Sequence, residues 1–237
     1  YFNNIYSDMK ILALILARGG SKRLPNKNIL PLGGKPLVSW SIDVAKDIPE
    51  ICEIMVSTDN KEIKEVAKKA GAYVPWLRPD DLSNDDSNSV DAAIHALDWY
   101  ETNHGKVDGL MLLQPTSPFR TSSSIKEGIR LFSKFKMITV IGVSQTHQHP
   151  NWTFRIKQEV LTPFFDGSGL NTRSQDLDPA FIVNGSFYLV TAKDLRKYKS
   201  FFIKESIPLV INSKIESLDI DTEQDWEFAE YCLNKLE

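Results

Sequence analysis

Four cations crowd the stretch ARGGSKRLPNKN at residues 17–28, where Arg18, Lys22, Arg23 and Lys27 stand with no acidic residue among them. Far along the chain, Asp219-Ile220-Asp221 sets two carboxylates on alternate positions. Glycines let a backbone come close to a ligand, and amides in such a turn can form a nest for an anion. Arginine and lysine add countercharge, and Pro25 restricts the loop, so less entropy is lost when it orders around a guest. A triphosphate suits that description. In an extended segment Asp219 and Asp221 share a face, with α-carbons roughly 6.5–7 Å apart, near enough to hold one hard cation such as Mg2+ directly or through water. Basic nest and paired acids are the equipment of phosphoryl transfer, where positioning and charge neutralisation carry most of the catalysis. Plainer readings stand beside this one. The basic stretch has neither Walker A nor G-x-G-x-x-G spacing, so a solvated surface loop explains it equally well on composition. Asp221 heads DTEQ, a helix cap with Gln224 three residues on, and serves as cap, ligand or both. Asp59, followed by Glu62, reads as a cap; Asp219 has no capping role and reads as the ligand.

Those side chains need a scaffold. KILALILA (10–17) is a short apolar run closed by Gly-Gly, which favours a buried strand. KPLVSWSIDVAKDI (35–48) gathers Leu37, Trp40, Ser41 and Val44 on one helical face, with Pro36 suited to the first turn. EIMVST (53–58) reads as a strand and DNKEIKEVAKKAG (59–71) as a helix ended by Gly71. SVDAAIHALDWYE is a further helix, GLMLLQ a strand, SSIKEGIRLFSKF a helix and MITVIGVS (137–144) a strand. This alternation predicts an α/β fold with a doubly wound, mostly parallel sheet, in which ligands bind at the carboxyl ends of strands. The basic loop, Asp59, QPTSPFR and DID (219–221) all follow such ends. From about residue 145 polar and turn residues dominate, with short pieces such as WTFRI, and 145–183 reads as an arm for packing on another subunit. IVNGSFYLV, PLVIN and ESLDI then resume extended character, ahead of a last helix, EQDWEFAEYCLNKL. Residues 10–237 form one domain; residues 1–9 read as an N-terminal extension or cloning remnant.

Composition excludes several classes. An apolar fraction of 42% supports a full core, and a net charge of −3 gives no reason to expect nucleic acid. Cys52 and Cys232, the 2 cysteines, are far apart, which argues against a disulfide framework or zinc site and suits a reducing cytoplasm. No apolar run approaches the roughly 20 residues that span a bilayer, and the opening YFNNIYSDMK is not a secretory signal. His147 and His149 make an H-x-H pair, a weak metal signal. No local spacing suggests a Ser-His-Asp or Cys-His arrangement, and no general base stands out.

LARGGSKRLPNKN, VSTDN, RPDDLSNDDSNS, LLQPTSPFRT, NGSFYLV and LDIDTEQD, in that order and spacing, resemble the CMP-sialic acid synthetases (acylneuraminate cytidylyltransferases) over residues 10 to 230. The resemblance implies the nucleotide-diphospho-sugar transferase type of fold and an enzyme that joins CTP to a free nonulosonic acid, releasing pyrophosphate, with Mg2+ on the phosphates. It implies that Arg18, Ser21, Lys22 and Lys27 cradle the triphosphate, that Asn28, Arg78 and Ser89 hold the cytidine, and that Asp219 and Asp221 bind the metal. Arg18, Lys27, Asp219 and Asp221 are thereby the catalytic set. The sugar would meet Gln114, its carboxylate Arg173, and its acyl groups Tyr188, Phe201 and Phe202. Read without the resemblance, Gln114 satisfies strand-end backbone groups, Arg173 is a surface ion pair, and the three aromatics are core.

Two departures bear on the sugar. HPNWTF places Trp152 near where the family often has a lysine on the dimer arm, and the interval from Arg173 to Asn184 is about one residue long. Less charge and more aromatic surface suit a deoxy, diacetamido sugar such as legionaminate or pseudaminate, with N-acetylneuraminate as the other candidate. The implied setting is a cytoplasmic homodimer without nucleic-acid or membrane partners. Competing readings are a CMP-Kdo synthetase, whose first loop is of the same kind, and a catalytically silent nucleotide-sugar-binding protein on this fold.

Overall fold

In the computed structural model, which describes residues 9–84, 87–146, 148–167 and 169–236, the run ILALIL becomes β1 (Ile11–Leu16), inside a six-stranded sheet. The elements that follow are β2 (Pro31–Leu32), β3 (Lys35–Pro36), α1 (Leu37–Ala45), β4 (Ile51–Ser57), α2 (Lys61–Lys69), α3 (Ser89–His104), β5 (Gly109–Leu112) and α4 (Ser122–Lys134). Then come β6 (Val140–Gln145), β7 (Phe154–Lys157), β8 (Val160–Pro163), β9 (Phe181–Thr191), α5 (Ala192–Tyr198), β10 (Ile207–Val210) and α6 (Glu223–Leu236). The sheet runs β10-β6-β9-β5-β1-β4. β1 lies parallel to both β4 and β5, and β10 parallel to β6, while β9 is antiparallel to both of its neighbours. The sheet is therefore mixed and mostly parallel. Residues 1–8 of the proposed extension, and His147, lie outside the described residues.

β1 shows why its sequence alternates so little. Ile11, Ala13, Ile15 and Ala17 face a core with α1, α2 and α4, whereas Leu12 and Leu14 face a second core with α3 and α5. A strand buried on both sides has no polar face to show. A third cluster, containing Leu32, Leu37, Phe119, Ile220 and Ala229, joins the small β2–β3 hairpin to α6.

α1 departs from its predicted stripe. Val38, Ile42 and Ala45 turn to the sheet, and Leu37 and Trp40 join the third cluster instead. The cause is the β2–β3 hairpin, whose Gly33 and Gly34 turn at positive φ. It ends at Pro36, which becomes the cap position, not a first-turn residue. Two capping assignments change as well. Asn60, not Asp59, caps α2, its side chain accepting from the Glu62 and Ile63 amides. At α6 the Thr222 hydroxyl accepts from the Asp225 amide, while the Asp225 carboxylate accepts from the Thr222 amide and hydroxyl. That reciprocal pair makes Thr222 the cap and releases Asp221. α5 has no signal in the sequence beyond Thr191, whose side chain caps it.

The arm is built differently from the body. β7 and β8 form a separate two-stranded hairpin, every residue of β7 is exposed, and Ile156 and Leu161 are 76% and 63% exposed. His149 has a local job there, its ring accepting from the Asn151 amide. No helix among the described residues is long and apolar enough to cross a membrane.

Candidate active site

The carboxyl edge of the parallel strands collects the chemistry. The loop after β1 delivers Arg18 to Asn28, β4 is followed by Asp59, β5 by Gln114, and β10 by the segment leading to Asp219 and Asp221. Because β9 is antiparallel, its first residues reach the same edge.

The basic loop is held from three sides. The Gly19 amide donates to Asp59 Oδ1 at 2.8 Å, and Asn28 Nδ2 donates to the Arg18 carbonyl at 2.9 Å. Lys27, almost buried, donates to the Ile220 carbonyl at 2.8 Å and to Asp221 Oδ1 at 2.9 Å. Arg23 pairs with the other oxygen of Asp221 at 2.8 Å. Asp59 therefore orders the loop where a helix cap was expected, and Asp221 closes onto the loop itself. Asp219 does not. It opens into a neighbouring cavity, with Ile220 buried between the two. Desolvation raises the Asp219 carboxyl pKa, the Thr116 hydroxyl bond works against that rise, and the Asp221 charge adds to it.

Three cavities meet at Gln114. One of about 410 Å³ is lined by Arg18, Ser21, Lys22, Lys27, Asn28 and Asp221, among others. A second, of about 320 Å³, is walled by Arg18, Arg78 and Ser89. Burial lowers the Arg78 pKa, the Asp59 carboxylate raises it, and the Arg18 charge lowers it again. Two guanidiniums that repel across a pocket favour an anion between them. Arg78 is also fixed in place, its amide donating to the Thr58 carbonyl at 2.7 Å and its Nε to Ser83 Oγ at 3.1 Å.

The third and largest cavity, about 700 Å³, is lined by Gln114, Asn184, Gly185, Tyr188, Lys214 and Asp219 together with further polar and apolar side chains. Its wall comes from an irregularity in β9. Ile141 pairs with Tyr188, but Val143 pairs with Val183, so the residues from Asn184 to Phe187 bulge out opposite Gly142. Asn184 Nδ2 donates to Ser144 Oγ at 2.9 Å, and its Oδ1 accepts from the Ser186 hydroxyl at 2.7 Å. Gly185 has φ +74°, and a Cβ there would sit 2.6 Å from Gln114 Oε1. Only glycine allows both that backbone and that approach.

Arg120, the last residue of QPTSPFR, locks these parts together. Fully buried, it donates to the Gln114 carbonyl at 2.9 Å, to Ser41 Oγ at 3.0 Å and to the Ser186 carbonyl. Complete burial pushes its pKa down to about 9, with the Glu216 carboxylate acting in the opposite sense. Its place in a motif among strand-end residues was the one signal in the sequence; nothing there marked it as a tie between three elements.

The aromatic residues divide. Tyr188 is buried yet forms part of the cavity wall, and burial followed by the nearby Asp219 charge raises its phenol pKa. Phe201 packs behind it in the core with ring centroids 5.7 Å apart. Phe202, 59% exposed, meets the Tyr188 ring edge-on at 5.8 Å. Neither phenylalanine lines the cavity. Arg173 is exposed on the arm and is likewise absent from the cavity wall within one chain. Asn184, Gly185 and Lys214 take wall positions that the sequence had not assigned.

The chain is similar to known proteins in sequence and in fold. The sequence pattern described as Cytidylyltransferase matches residues 12–149. CMP-N,N'-diacetyllegionaminic acid synthase of Legionella pneumophila is 40% identical over 94% of this chain and 95% of that protein. Pseudaminic acid cytidylyltransferase of Campylobacter jejuni is 34% identical, covering 93% of this chain and 95% of its own length. Among solved structures, a CMP:2-keto-3-deoxy-manno-octonic acid synthetase complexed with CTP superposes with a TM-score of 0.71 at 15% identity, over 96% of this chain and 100% of that one. At that identity the likeness is one of fold.

Proposed function

The chain belongs to the cytidylyltransferase family, and we propose that it joins CTP to a free nonulosonic acid, giving a CMP-sugar and pyrophosphate. The observation that carries this reading is the meeting of the cationic cavities with the larger, mixed cavity at Gln114. A triphosphate lies along Arg18, Ser21, Lys22 and Lys27, and the cytidine reaches past Asn28 towards Arg78 and Ser89. The sugar acid occupies the large cavity, where Ile182, Val183 and Tyr188 offer apolar surface to N-acyl methyl groups and Gln114 and Asn184 offer polar contacts. The sugar's anomeric hydroxyl attacks the α-phosphorus, the bond to the β-phosphate breaks, and pyrophosphate leaves.

Lys27 and Arg18 hold the phosphates and oppose the charge that builds on them. Asp219 opens into the large cavity and can offer its carboxylate to a hard cation, whereas both oxygens of Asp221 are held by Arg23 and Lys27: no group of three or more ligating side chains occurs among the described residues, but Mg2+ commonly takes one or two carboxylates and fills its shell with phosphate oxygens and water. When bound, Mg2+ would neutralise phosphate charge and favour the in-line displacement. Arg120 keeps Gln114 and the β9 bulge in register, so the two substrates meet at a fixed separation.

The apolar, exposed β7–β8 hairpin supports a homodimer formed through the arm, the position from which Arg173 can serve a shared site. Unpaired Cys52 and Cys232 suit a reducing, cytoplasmic setting. Among sugars, the 40% identity to a diacetyllegionaminate enzyme and the aromatic Trp152 on the arm favour a diacetamido acid. Pyrophosphate release from CTP with diacetyllegionaminate, pseudaminate or N-acetylneuraminate tests the proposal. Preference for one of the first two is expected; exclusive use of N-acetylneuraminate would refute the choice of sugar, and no release with any would refute the activity.

A further inference from the structure

Asp221 is one of the two acids expected to meet a metal, yet both of its oxygens are taken by the chain's own cations. Lys27 Nζ meets Oδ1 at 2.9 Å, and a guanidinium nitrogen of Arg23 meets Oδ2 at 2.8 Å. A carboxylate that accepts from two cations has little left for a third, and a divalent ion beside it would face the positive charge of both. The two cations are held very differently. The Lys27 side chain is only 11% exposed, and its ammonium also donates to the Ile220 carbonyl at 2.8 Å, which anchors it whatever Asp221 does. The Arg23 side chain is 67% exposed, and one nitrogen makes the contact. Exposed pairs of this kind shift an equilibrium by only about two- to fivefold, so Arg23 is the partner that can be drawn off.

A group able to draw it off enters by the same cavity. Arg23 and Asp221 both line the space of about 410 Å³ that also holds Arg18, Lys22 and Lys27. A phosphate chain there offers the guanidinium two oxygens for its fork, a stronger match than one bond to a shared carboxylate. The surroundings confine the motion to a side chain. The loop is tied on either side of Arg23, by the Gly19 amide to Asp59 and by Asn28 to the Arg18 carbonyl. Asp221 stays in place, because its amide donates to Asp225 Oδ2 at 3.0 Å and Lys27 keeps Oδ1. Departure of Arg23 therefore bares Oδ2 on the wall of the phosphate cavity, where a cation travelling with those phosphates can use it.

Resting on the nucleotide reading of that cavity, we propose that Arg23 is a positioning residue that masks Asp221 until a triphosphate takes its guanidinium, so that the carboxylate opens to a divalent cation only with the nucleotide in place. Arg23 is exposed on a loop, so its replacement leaves the fold intact. Two binding measurements test this, and neither reads turnover. In the first, Mn2+ binding without nucleotide is followed by the electron paramagnetic resonance signal of the free ion. Arg23→Gln is expected to bind Mn2+ about fivefold more tightly than wild type. Arg23→Lys should return towards wild type, and adding Asp221→Asn to Arg23→Gln should abolish the gain. The second measures CTP binding in EDTA by calorimetry, where linkage requires the reciprocal effect. Asp221→Asn frees Arg23 only where Arg23 is present, so it should tighten CTP binding about threefold more in wild type than in Arg23→Gln. Equal Mn2+ affinity in wild type and Arg23→Gln overturns the proposal, as does a gain that survives Asp221→Asn or an equal effect of Asp221→Asn on CTP in both backgrounds. A wild-type protein that binds no CTP removes the nucleotide reading itself, an outcome distinct from any result of the Mn2+ comparison.

Discussion

The two halves of the site are made in opposite ways. The half proposed for the nucleotide is mostly one loop: Arg18, Ser21, Lys22, Lys27 and Asn28 lie within eleven consecutive positions, and local bonds such as Asn28 to the Arg18 carbonyl set its shape. The sugar half has no such centre. Gln114, Ser144, Asn184, Tyr188, Lys214 and Asp219 come from four separate segments, brought together by a bulge in β9 and the buried Arg120. A local site depends on the charges it carries. A composite site depends on the packing that assembles it, and substitutions should separate the two.

Lys27 holds both Asp221 and the Ile220 carbonyl next to Asp219, so its loss should do most damage. Lys27→Met is expected to cut turnover about 10³-fold, because the phosphate charge and the Asp221 carboxylate both lose their partner. Asp221 keeps Arg23, but the Ile220 carbonyl loses a buried bond, so the stability cost should be about 1–3 kcal/mol. Steady-state pyrophosphate release and urea denaturation report the two quantities; a variant with full activity would dissolve the proposed link.

Gly185→Ala attacks the composite half alone. Its positive φ should cost about 1–2 kcal/mol, and the new Cβ would drive Gln114 Oε1 from its place. A roughly tenfold rise in the sugar KM is expected, with CTP binding by calorimetry unaltered, on the scale of a lost positioning contact. Equal losses for both substrates would mean that the halves are not separable.

The smallest effect concerns stability and has a sign fixed by charge. The folded protein raises the Asp219 pKa above its usual 3.8. At neutral pH the carboxylate is charged in both states but disfavoured in the folded one, so it subtracts stability there. As pH falls through the folded and then the unfolded pKa, both states are protonated and the penalty vanishes. Asp219 is exposed, so solvent screens much of this penalty, and Asp219→Asn should raise Tm only slightly at pH 7. The gain should fade towards pH 3 while turnover is lost at every pH. Thermal melts across that interval check it, and a lower Tm at pH 7 would reverse the sign of the argument.

Much of the nucleotide half was legible because its signals are local. Charge count, glycines, Pro25 and a preceding apolar run are all neighbours in the sequence, and the parallel strand order follows from alternating periodicities. The capping assignments failed by one residue each, at Asp59 and Asp221, because Asn60 and Thr222 compete for the same helix starts and local pattern does not choose between them. What freed each aspartate is a partner distant in the chain, the Gly19 amide for one and Lys27 for the other.

By itself, then, the sequence determined the strand that carries the basic loop, the cationic character of that loop, and the candidate residues Gln114, Asp219 and Asp221. Tertiary structure alone decided that Asp219 and Asp221 open to different cavities, that Asn184 to Phe187 leave the ladder, that Arg120 joins three elements, and that Lys214 takes a wall position while Arg173 does not. Charge and periodicity are properties of neighbouring residues, whereas a cavity wall is set by strand register and by buried hydrogen bonds between segments far apart in the chain.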